Sequence, residues 1–516
     1  MPAVYYARFH AVLSAILFVS TGVFAQRNLA LPRSTPEAEG VSSLQLLRFV
    51  NAADKSDVEF HSMMILRNGK VIAEGWWTPY RRDLKHTMYS VSKSWTSTAI
   101  GFAVAEKLIT VEDPVIKFFA DQLPDTVSDE LKELKIKHLL TMSVGHDPDP
   151  TFSIVSSADN WVKAFLATKI DNKPGSRFLY NTTATYMLSA IIQKVTGQRL
   201  TDYLKPRLFD PLNIKDVDSE IDPLGINTGG WGLRVQTEAM AKFGQLYLNQ
   251  GQWNGKQILP REWITAATSA QIMQAPNATQ AVRDSSDWLQ GYGYQFWRAR
   301  HNAYRADGAY GQFIVVLPDK NAVIVFTAET PDMQKEINLA WEYLLPAFMD
   351  KPLPTDPEGA TLLAKKLKSL TLPVPAGKAF SGTLNPVGKK LSLQPNDFNL
   401  ERIEFVKTAD NLEVSFITPS DRFVIPFANG KWAFSETKKH GPYLVSGARA
   451  KFAGLPPFKV AGAYVWKDDN TLQLTLRYIE SPHTETFEIE FSGSTAEVVV
   501  THSLNPASPI IIKGSL

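Results

Sequence analysis

The sequence predicts an α+β fold in which helices flank an antiparallel sheet with an inserted helical lobe, followed by a C-terminal all-β barrel or sandwich domain. Predicted strand pairs near both ends of residues 26–350, with a helical stretch between them, indicate the first part. Period-two alternation of apolar and polar residues in many short segments after residue 376 indicates the second part.

Composition limits the classes of function. The chain has 516 residues, enough for two or three domains, and 44% are apolar and 21% charged, as in ordinary globular proteins. The net charge of +2 gives no general attraction to nucleic acid or to an anionic membrane, so neither is an expected partner. The absence of cysteine excludes disulfides, thiolate metal sites and a cysteine nucleophile.

The first 25 residues are predicted to be a secretory signal peptide outside the fold. Arg8 and His10 precede an apolar run, Ala11–Phe24, that is too short to span a bilayer comfortably, and Ala25 offers a small side chain before the cleavage point. The alternative is an N-terminal membrane anchor. Export of a chain without cysteine suits the bacterial periplasm, and no membrane anchor is expected after cleavage.

Two strand pairs predict the antiparallel sheet of the first domain, residues 26–350. Met63–Leu66 and Val71–Ala73 flank an Asn-Gly turn, which is a strong hairpin signal, and Phe313–Leu317 and Ala322–Phe326 form the second pair. Since a mostly helical stretch separates the two pairs, one sheet completed by distant segments is expected. A small-molecule site is expected in the cleft between this sheet and the helical lobe.

The chain changes character at a Pro-rich segment. Residues 351–375 are predicted to be a linker, and residues 376–516 an antiparallel β domain. The sequence leaves three roles open for this domain: binding carbohydrate, covering the cleft, or supporting the first domain. Its three histidines, His440, His483 and His502, are expected at the surface.

The strongest chemical signal is the pair Ser90 and Lys93. Their spacing places both side chains on one face at the start of a predicted helix. A serine hydroxyl needs a base to become a nucleophile, and a lysine held neutral by burial and positive potential can be that base. The alternative is a capping serine with a solvated lysine. Ser435 and Lys438 repeat the spacing amid predicted strands, which we interpret as chance.

Two further segments carry weaker signals. Tyr180 lies where a loop enters a helix and could relay a proton, although a buried packing role is the alternative. Ala306–Gln312 contains glycines that would let a substrate approach a backbone edge, where an N–H could hold an oxyanion; the alternative is a plain bulge or turn. No G-x-S-x-G, Walker or H-E-x-x-H motif occurs, and no metal or cofactor is expected.

Taken together and in this order, the three elements resemble the serine hydrolases of the penicillin-binding-protein and class C β-lactamase superfamily. The resemblance covers Gly40–Met349 and implies a β-lactamase/transpeptidase-like fold. Within the superfamily, Gly308–Gln312 resembles the branch of esterases and 6-aminohexanoate-dimer hydrolases. The supporting stretches are Leu139–Gly145, Gly229–Leu233, Ala241–Leu248 and Gly291–Trp297.

The resemblance implies a role for each matching residue. Ser90 corresponds to the acylated nucleophile, Lys93 to its base and Tyr180 to the proton relay for the leaving group. The backbone N–H groups of Ser90 and Ala309 correspond to the oxyanion hole. The predicted substrate-binding residues are Gly308, Tyr310, Trp297 and Trp231, with core packing as the alternative for the three aromatic residues.

Two departures from the superfamily pattern bear on the substrate. Ala306-Asp307-Gly308 replaces the K-T-G that helps bind a substrate carboxylate, Asp307 would repel an anion, and Thr182 stands where Asn is frequent. Hydrolysis of a small-molecule ester or amide is therefore favoured. The alternatives are a penicillin-binding DD-peptidase or class C-type β-lactamase, and a non-catalytic binding protein with this fold.

Overall fold

The computed structural model describes residues 30–378 and 386–516. The predicted signal peptide, Met1–Ala25, lies outside the described residues and stays a prediction. The helices are α1 (Ser43–Lys55), α2 (Ser92–Ala105), α3 (Asp129–Glu133), α4 (Ile136–Leu140), α5 (Thr151–Ser157), α6 (Trp161–Ala167), α7 (Thr182–Thr196), α8 (Leu200–Leu204), α9 (Thr237–Leu248), α10 (Arg261–Thr268), α11 (Gln280–Ser285), α12 (Met333–Leu339) and α13 (Pro357–Lys368).

The first eleven strands belong to the N-terminal unit. They are β1 (Glu59–Arg67), β2 (Lys70–Trp76), β3 (Lys85–Thr87), β4 (Asp218–Ser219), β5 (Leu233–Gln236), β6 (Gln252–Trp253), β7 (Lys256–Gln257), β8 (Trp297–Arg298), β9 (Tyr304–Gly308), β10 (Gln312–Leu317) and β11 (Ala322–Glu329). The main sheet has the order β2-β1-β11-β10-β9-β8. The distant strands β1 and β11 pair antiparallel at its centre, which confirms the predicted sheet.

Alternate side chains of the central strands pack into two separate cores, one on each face of the sheet, because helices cover both faces. Met64 and Val325 face the core that contains Trp95 of α2 and Phe243 of α9. Ile65 and Phe326 face the opposite core, with Phe49 of α1. Helix α2 is buried on all sides from residue 92 to 103, since it lies between the sheet and the helical lobe.

The predicted linker, residues 351–375, contains helix α13. Asp356 caps this helix by accepting a hydrogen bond from the Gly359 N–H at 2.9 Å. Leu363 and Leu370 are buried in the same core as Phe49 of α1. The segment is therefore folded onto the N-terminal unit, which its Pro-rich start did not indicate.

The C-terminal domain is a closed barrel, which decides between the two predicted β architectures. Its strands are β12 (Lys390–Leu393), β13 (Arg402–Lys407), β14 (Leu412–Ile417), β15 (Arg422–Asn429), β16 (Ala433–Thr437), β17 (Phe458–Trp466), β18 (Thr471–Tyr478), β19 (Thr484–Ser492), β20 (Thr495–His502) and β21 (Ile510–Ser515). A parallel contact between β15 and β17 closes a ring of nine strands, and β16 extends the sheet along β17. Closure removes the exposed edges that an open sheet would leave.

The turn between β18 and β19 docks the barrel onto the N-terminal unit. The Thr87 N–H donates to the Glu480 carbonyl at 2.9 Å, and the Tyr80 hydroxyl donates to the Ser481 carbonyl at 3.0 Å. His483, which was expected at the surface, is fully buried in this junction, so that expectation was wrong. Among the described residues, no helix combines the length and the apolar character needed to cross a membrane.

Candidate active site

The segment from β3 to α2 forms a tight turn around Ser90. Strand β3 ends at Thr87, a single 3-10 turn covers Tyr89–Val91, and α2 begins at Ser92. Tyr89 has a φ of 44°, a left-handed conformation that is uncommon for a bulky residue and holds the turn sharp. Ser90 is partly exposed and stands at the positive N-terminal end of the helix.

Lys93 is buried directly beneath Ser90. Its Nζ donates to Ser90 Oγ at 2.9 Å and to the Gly230 carbonyl at 2.7 Å, and the residue is 1% exposed. Burial lowers the pKa of Lys93 to about 7, against an opposing effect of the Asp149 charge. Near neutral pH a large fraction of this amine is therefore unprotonated and able to take the serine proton.

Tyr180 approaches the same pair from the start of α7. Its ring centroid lies 5.0 Å from Lys93 Nζ, and its hydroxyl is close enough to Ser90 for the serine side chain to lower the pKa of the tyrosine, against the effect of burial. Trp297 also stacks on the Tyr180 ring, at a centroid distance of 5.6 Å. Burial raises the pKa of Tyr180 well above its usual range, so the hydroxyl keeps its proton and can donate it.

The end of β9 runs against the turn that carries Ser90. A Cβ on Gly308 would lie 2.2 Å from the Met88 carbonyl oxygen, so only glycine permits this approach. Ala309, the next residue, therefore lies alongside the turn that carries Ser90. The two N–H groups predicted to form an oxyanion hole, those of Ser90 and Ala309, belong to two segments in direct contact.

The predicted pocket residues fall into two groups. Trp297 and Tyr310 are partly exposed beside Tyr180 and the Ser90 turn. Trp231 is 3% exposed and stacks on Trp161 at 5.7 Å, which places it in the core. Trp297 and Tyr310 are therefore placed where they could contact a substrate, and that role stays a prediction, whereas Trp231 is a core residue next to Gly230.

Asp307 is paired with a cation inside the fold. Its side chain is buried and lies 2.9 Å from Nε of Arg305, which is also buried. Burial raises the pKa of Asp307 to about 6, although Arg305 opposes this effect. The charge of Asp307 still acts at the site, because it adds to the rise in the pKa of Tyr180, and the predicted repulsion of an anionic substrate stays a prediction.

Sequence reasoning missed two partners of Lys93. Gly230 had no assigned role in the sequence, yet its carbonyl accepts the lysine hydrogen bond. Asp149 lies in a Pro-rich loop, and only the fold brings it close enough to affect the pKa values of Lys93 and Tyr180. Within residues 30–378 and 386–516, no group of three histidine, aspartate or glutamate side chains is arranged to hold a metal ion.

Comparisons with known proteins agree with this fold and identify the family of the chain. The beta-lactamase family model matches residues 53–347, more than half of the chain. A 6-aminohexanoate-dimer hydrolase from Paenarthrobacter ureafaciens is 24% identical over 291 residues, 52% of this chain and 73% of the relative. A Salmonella agona protein, provisionally assigned as a D-alanyl-D-alanine carboxypeptidase, is 25% identical over 238 residues, 40% of this chain and 55% of the relative.

A solved structure shares the fold. It is that of a Bacillus anthracis protein, provisionally assigned as a 6-aminohexanoate-dimer hydrolase, with a TM-score of 0.51 and 22% sequence identity. The match covers 63% of this chain and 89% of that chain. At this identity the likeness concerns the fold alone.

Proposed function

The chain belongs to the beta-lactamase family, and on that premise we propose that it is a serine hydrolase cleaving a small-molecule carboxylic ester or amide through an acyl-enzyme on Ser90. The observation that carries the proposal is the contact between Lys93 Nζ and Ser90 Oγ at 2.9 Å. A lysine whose pKa is about 7 is a base matched to neutral pH, and it lies within reach of the proton it must remove.

In the proposed acylation step, neutral Lys93 takes the proton of Ser90 while Oγ bonds to the substrate carbonyl carbon. The carbonyl electron pair moves to oxygen, and the N–H groups of Ser90 and Ala309 stabilise that oxyanion. When the bond to the leaving group breaks, the proton reaches the departing oxygen or nitrogen through the Tyr180 hydroxyl. Water then attacks the acyl-enzyme through the reverse relay, which releases the carboxylic acid and restores Ser90.

Two observations favour esters and amides over penicillins and D-Ala–D-Ala peptides. Ala306 offers no cation where the superfamily uses a lysine to bind the substrate carboxylate, and the cation beside it, Arg305, is buried and paired with Asp307. Asp149 adds a negative charge near Lys93 and Tyr180, which disfavours an anionic substrate there. The relative from Paenarthrobacter ureafaciens is named for hydrolysis of an amide dimer, in agreement with this preference.

Intact mass spectrometry tests the proposal. Wild type and Ser90→Ala are mixed with p-nitrophenyl acetate and, in parallel, with benzylpenicillin, and released nitrophenol is read in the same samples. We expect nitrophenol release and a transient acetyl adduct with wild type only. Ser435→Ala is the matched control, because it removes the serine of the second S-x-x-K, and it should behave as wild type. Wild-type turnover by Ser90→Ala would refute the assignment, and a stable penicilloyl adduct would favour a cell-wall enzyme.

A further inference from the structure

We propose that His483, contributed by the C-terminal barrel, is a positioning residue that holds the two N–H donors of the oxyanion hole in their relative position. The inference rests on the proposed function, since it concerns how the Ser90 and Ala309 N–H groups are placed. Each of these two residues has a tyrosine next to it in the chain: Tyr89 precedes Ser90, and Tyr310 follows Ala309. His483 contacts both tyrosines.

The first contact is a hydrogen bond to Tyr89. The Tyr89 hydroxyl lies 2.5 Å from His483 Nε2, and His483 Nδ1 lies 2.6 Å from Glu329 Oε1. A carboxylate only accepts hydrogen bonds, so Nδ1 donates to Glu329, and on a neutral ring Nε2 accepts from the tyrosine. The Ser503 hydroxyl also donates to Glu329, at 2.7 Å, which fixes the carboxylate that orients the imidazole.

The second contact is with the ring of Tyr310. The His483 and Tyr310 rings meet edge to face at a centroid distance of 5.1 Å, and Tyr310 lies 6.3 Å from the Tyr89 ring. The three rings therefore form one cluster behind the two oxyanion donors. Tyr89 and Tyr310 have φ values of 44° and 64°, a conformation that side chains with a Cβ adopt at a cost. Such conformations persist where surrounding contacts hold them, and His483 supplies a contact to each.

The barrel keeps His483 at a fixed place relative to the nucleophile turn. His483 is fully buried, and it follows a turn bound to Thr87 and Tyr80 by the hydrogen bonds to Glu480 and Ser481. Thr87 is only three residues before Ser90. The barrel therefore supplies a residue that positions the oxyanion donors, a more specific role than covering the cleft or supporting the first domain.

Displacement of the two N–H donors should reduce stabilisation of the transition state more than binding of the substrate, because the oxyanion exists only after attack has begun. His483→Phe keeps an aromatic ring but removes the hydrogen bonds, and Tyr89→Phe removes the same bond from the other side without changing the barrel. For both variants we expect kcat to fall about 10- to 100-fold with KM changed less than about twofold.

Two further variants separate positioning from general structural support. His483→Gln can still offer an acceptor to Tyr89 and should recover part of the lost kcat. The double variant His483→Phe/Tyr89→Phe should be no slower than the worse single variant, since the hydrogen bond that Tyr89→Phe removes is already absent in His483→Phe. His502→Gln, another histidine of the barrel, is the matched control, and it should keep the wild-type kcat and KM.

The measurement is steady-state hydrolysis of p-nitrophenyl acetate, with the rate of Ser90 labelling by a fluorophosphonate followed by intact mass. If His483→Phe and Tyr89→Phe both match wild type, or if only KM changes, the inference is wrong while the proposed function stands. Additive losses in the double variant would likewise overturn it. If wild type itself neither hydrolyses the ester nor is labelled, the proposed function fails, and the inference fails with it.

Discussion

At the scale of single residues, the environment of a lysine decides whether it can act as a base. Ser90–Lys93 and Ser435–Lys438 share one spacing, yet Lys93 is buried with its Nζ on the serine, whereas Lys438 is exposed after the end of β16. Burial lowers the pKa of Lys93 to about 7, and an exposed amine experiences no comparable desolvation. The spacing alone therefore does not identify the chemistry.

The charge of Asp149 should be visible in the pH dependence of the reaction. Lys93 must be neutral to act, so kcat/KM should rise with pH through about 7. Asp149 favours the protonated amine and raises the pKa of Lys93. Asp149→Asn should therefore move the acidic limb of the kcat/KM profile to lower pH, while Asn can still accept from Thr151, whose N–H lies 3.1 Å from Asp149 Oδ1.

Asp147→Asn is the matched control for this profile, because Asp147 lies two residues away and its charge is paired with Arg177 at 2.5 Å. We expect its limb to coincide with that of wild type in pH titrations of ester hydrolysis. A limb that stays in place in Asp149→Asn, or moves to higher pH, would contradict the role given to this carboxylate.

The residues with chemical signatures were the ones that sequence could predict at this scale. Ser90, Lys93 and Tyr180 were predicted from their motifs, and the structure brings the three side chains together. The Gly230 carbonyl and His483 could not be found in this way, because a backbone acceptor has no residue-type signal and a histidine on a β turn resembles a surface residue. Their roles depend on contacts between segments far apart in the chain.

At the scale of elements, the predictable parts were those with a local pattern. The hairpin β1–β2 and the pair β10–β11 follow from alternating apolar residues and their turns, and both appear as predicted. Helix α13 was not predicted, because the prolines of the segment 351–357 indicated a linker, although the apolar residues of the helix recur at helical spacing. Proline at the first turn of a helix is compatible with the helix, so the Pro-rich start did not exclude it.

Two adjacent leucines test whether α13 is part of the folded N-terminal unit. Leu363 is 4% exposed in the core shared with α1, whereas Leu362 is 45% exposed. We expect Leu363→Ala to lower the free energy of unfolding by about 2–4 kcal/mol, because a cavity forms in that core. Leu362→Ala is the control and should cost less than about 0.5 kcal/mol. Urea unfolding of both variants checks this, and equal stabilities would mean that α13 is only a linker.

At the scale of the whole molecule, the feature that the sequence did not predict is the interface, or seam, between the main sheet and the barrel. The sequence predicted two domains joined by a linker. The barrel has an apolar core of its own, and its residues Ala461, Ala463 and Ile479 also pack into a core of the N-terminal unit. Polar residues from both units meet at the seam as well, where Glu59 of β1 pairs with Arg477 of β18 at 2.5 and 3.0 Å. Such pairs carry no local pattern, because each partner looks like an ordinary surface charge in its own strand.

Removing the carboxylate of Glu59 should reveal what this seam contributes to stability. Burial alone would raise the pKa of Glu59, but the hydrogen bond from His61 and the charge of Arg477 lower it overall. A lowered pKa means that the stabilisation is complete above the unfolded value near 4.5 and is lost as the pH falls below it. Glu59→Gln should therefore lower the free energy of unfolding at pH 7 by about 1.5–3 kcal/mol, since Arg477 is left with no ionised partner in a buried place.

The difference between Glu59→Gln and wild type should shrink as the pH falls below about 4.5, because the unfolded wild-type chain then binds a proton at Glu59 that the folded state, with its lowered pKa, does not bind. Urea unfolding at several pH values measures it, with Glu488→Gln as the matched control. Glu488 forms its ion pair with Lys467 at 2.9 Å on the exposed face of the barrel, and its loss should cost less than about 0.5 kcal/mol at any pH. If Glu59→Gln were as stable as Glu488→Gln at pH 7, the seam would hold through its backbone hydrogen bonds and apolar contacts alone, and the pairing of Glu59 with Arg477 would have no stabilising role.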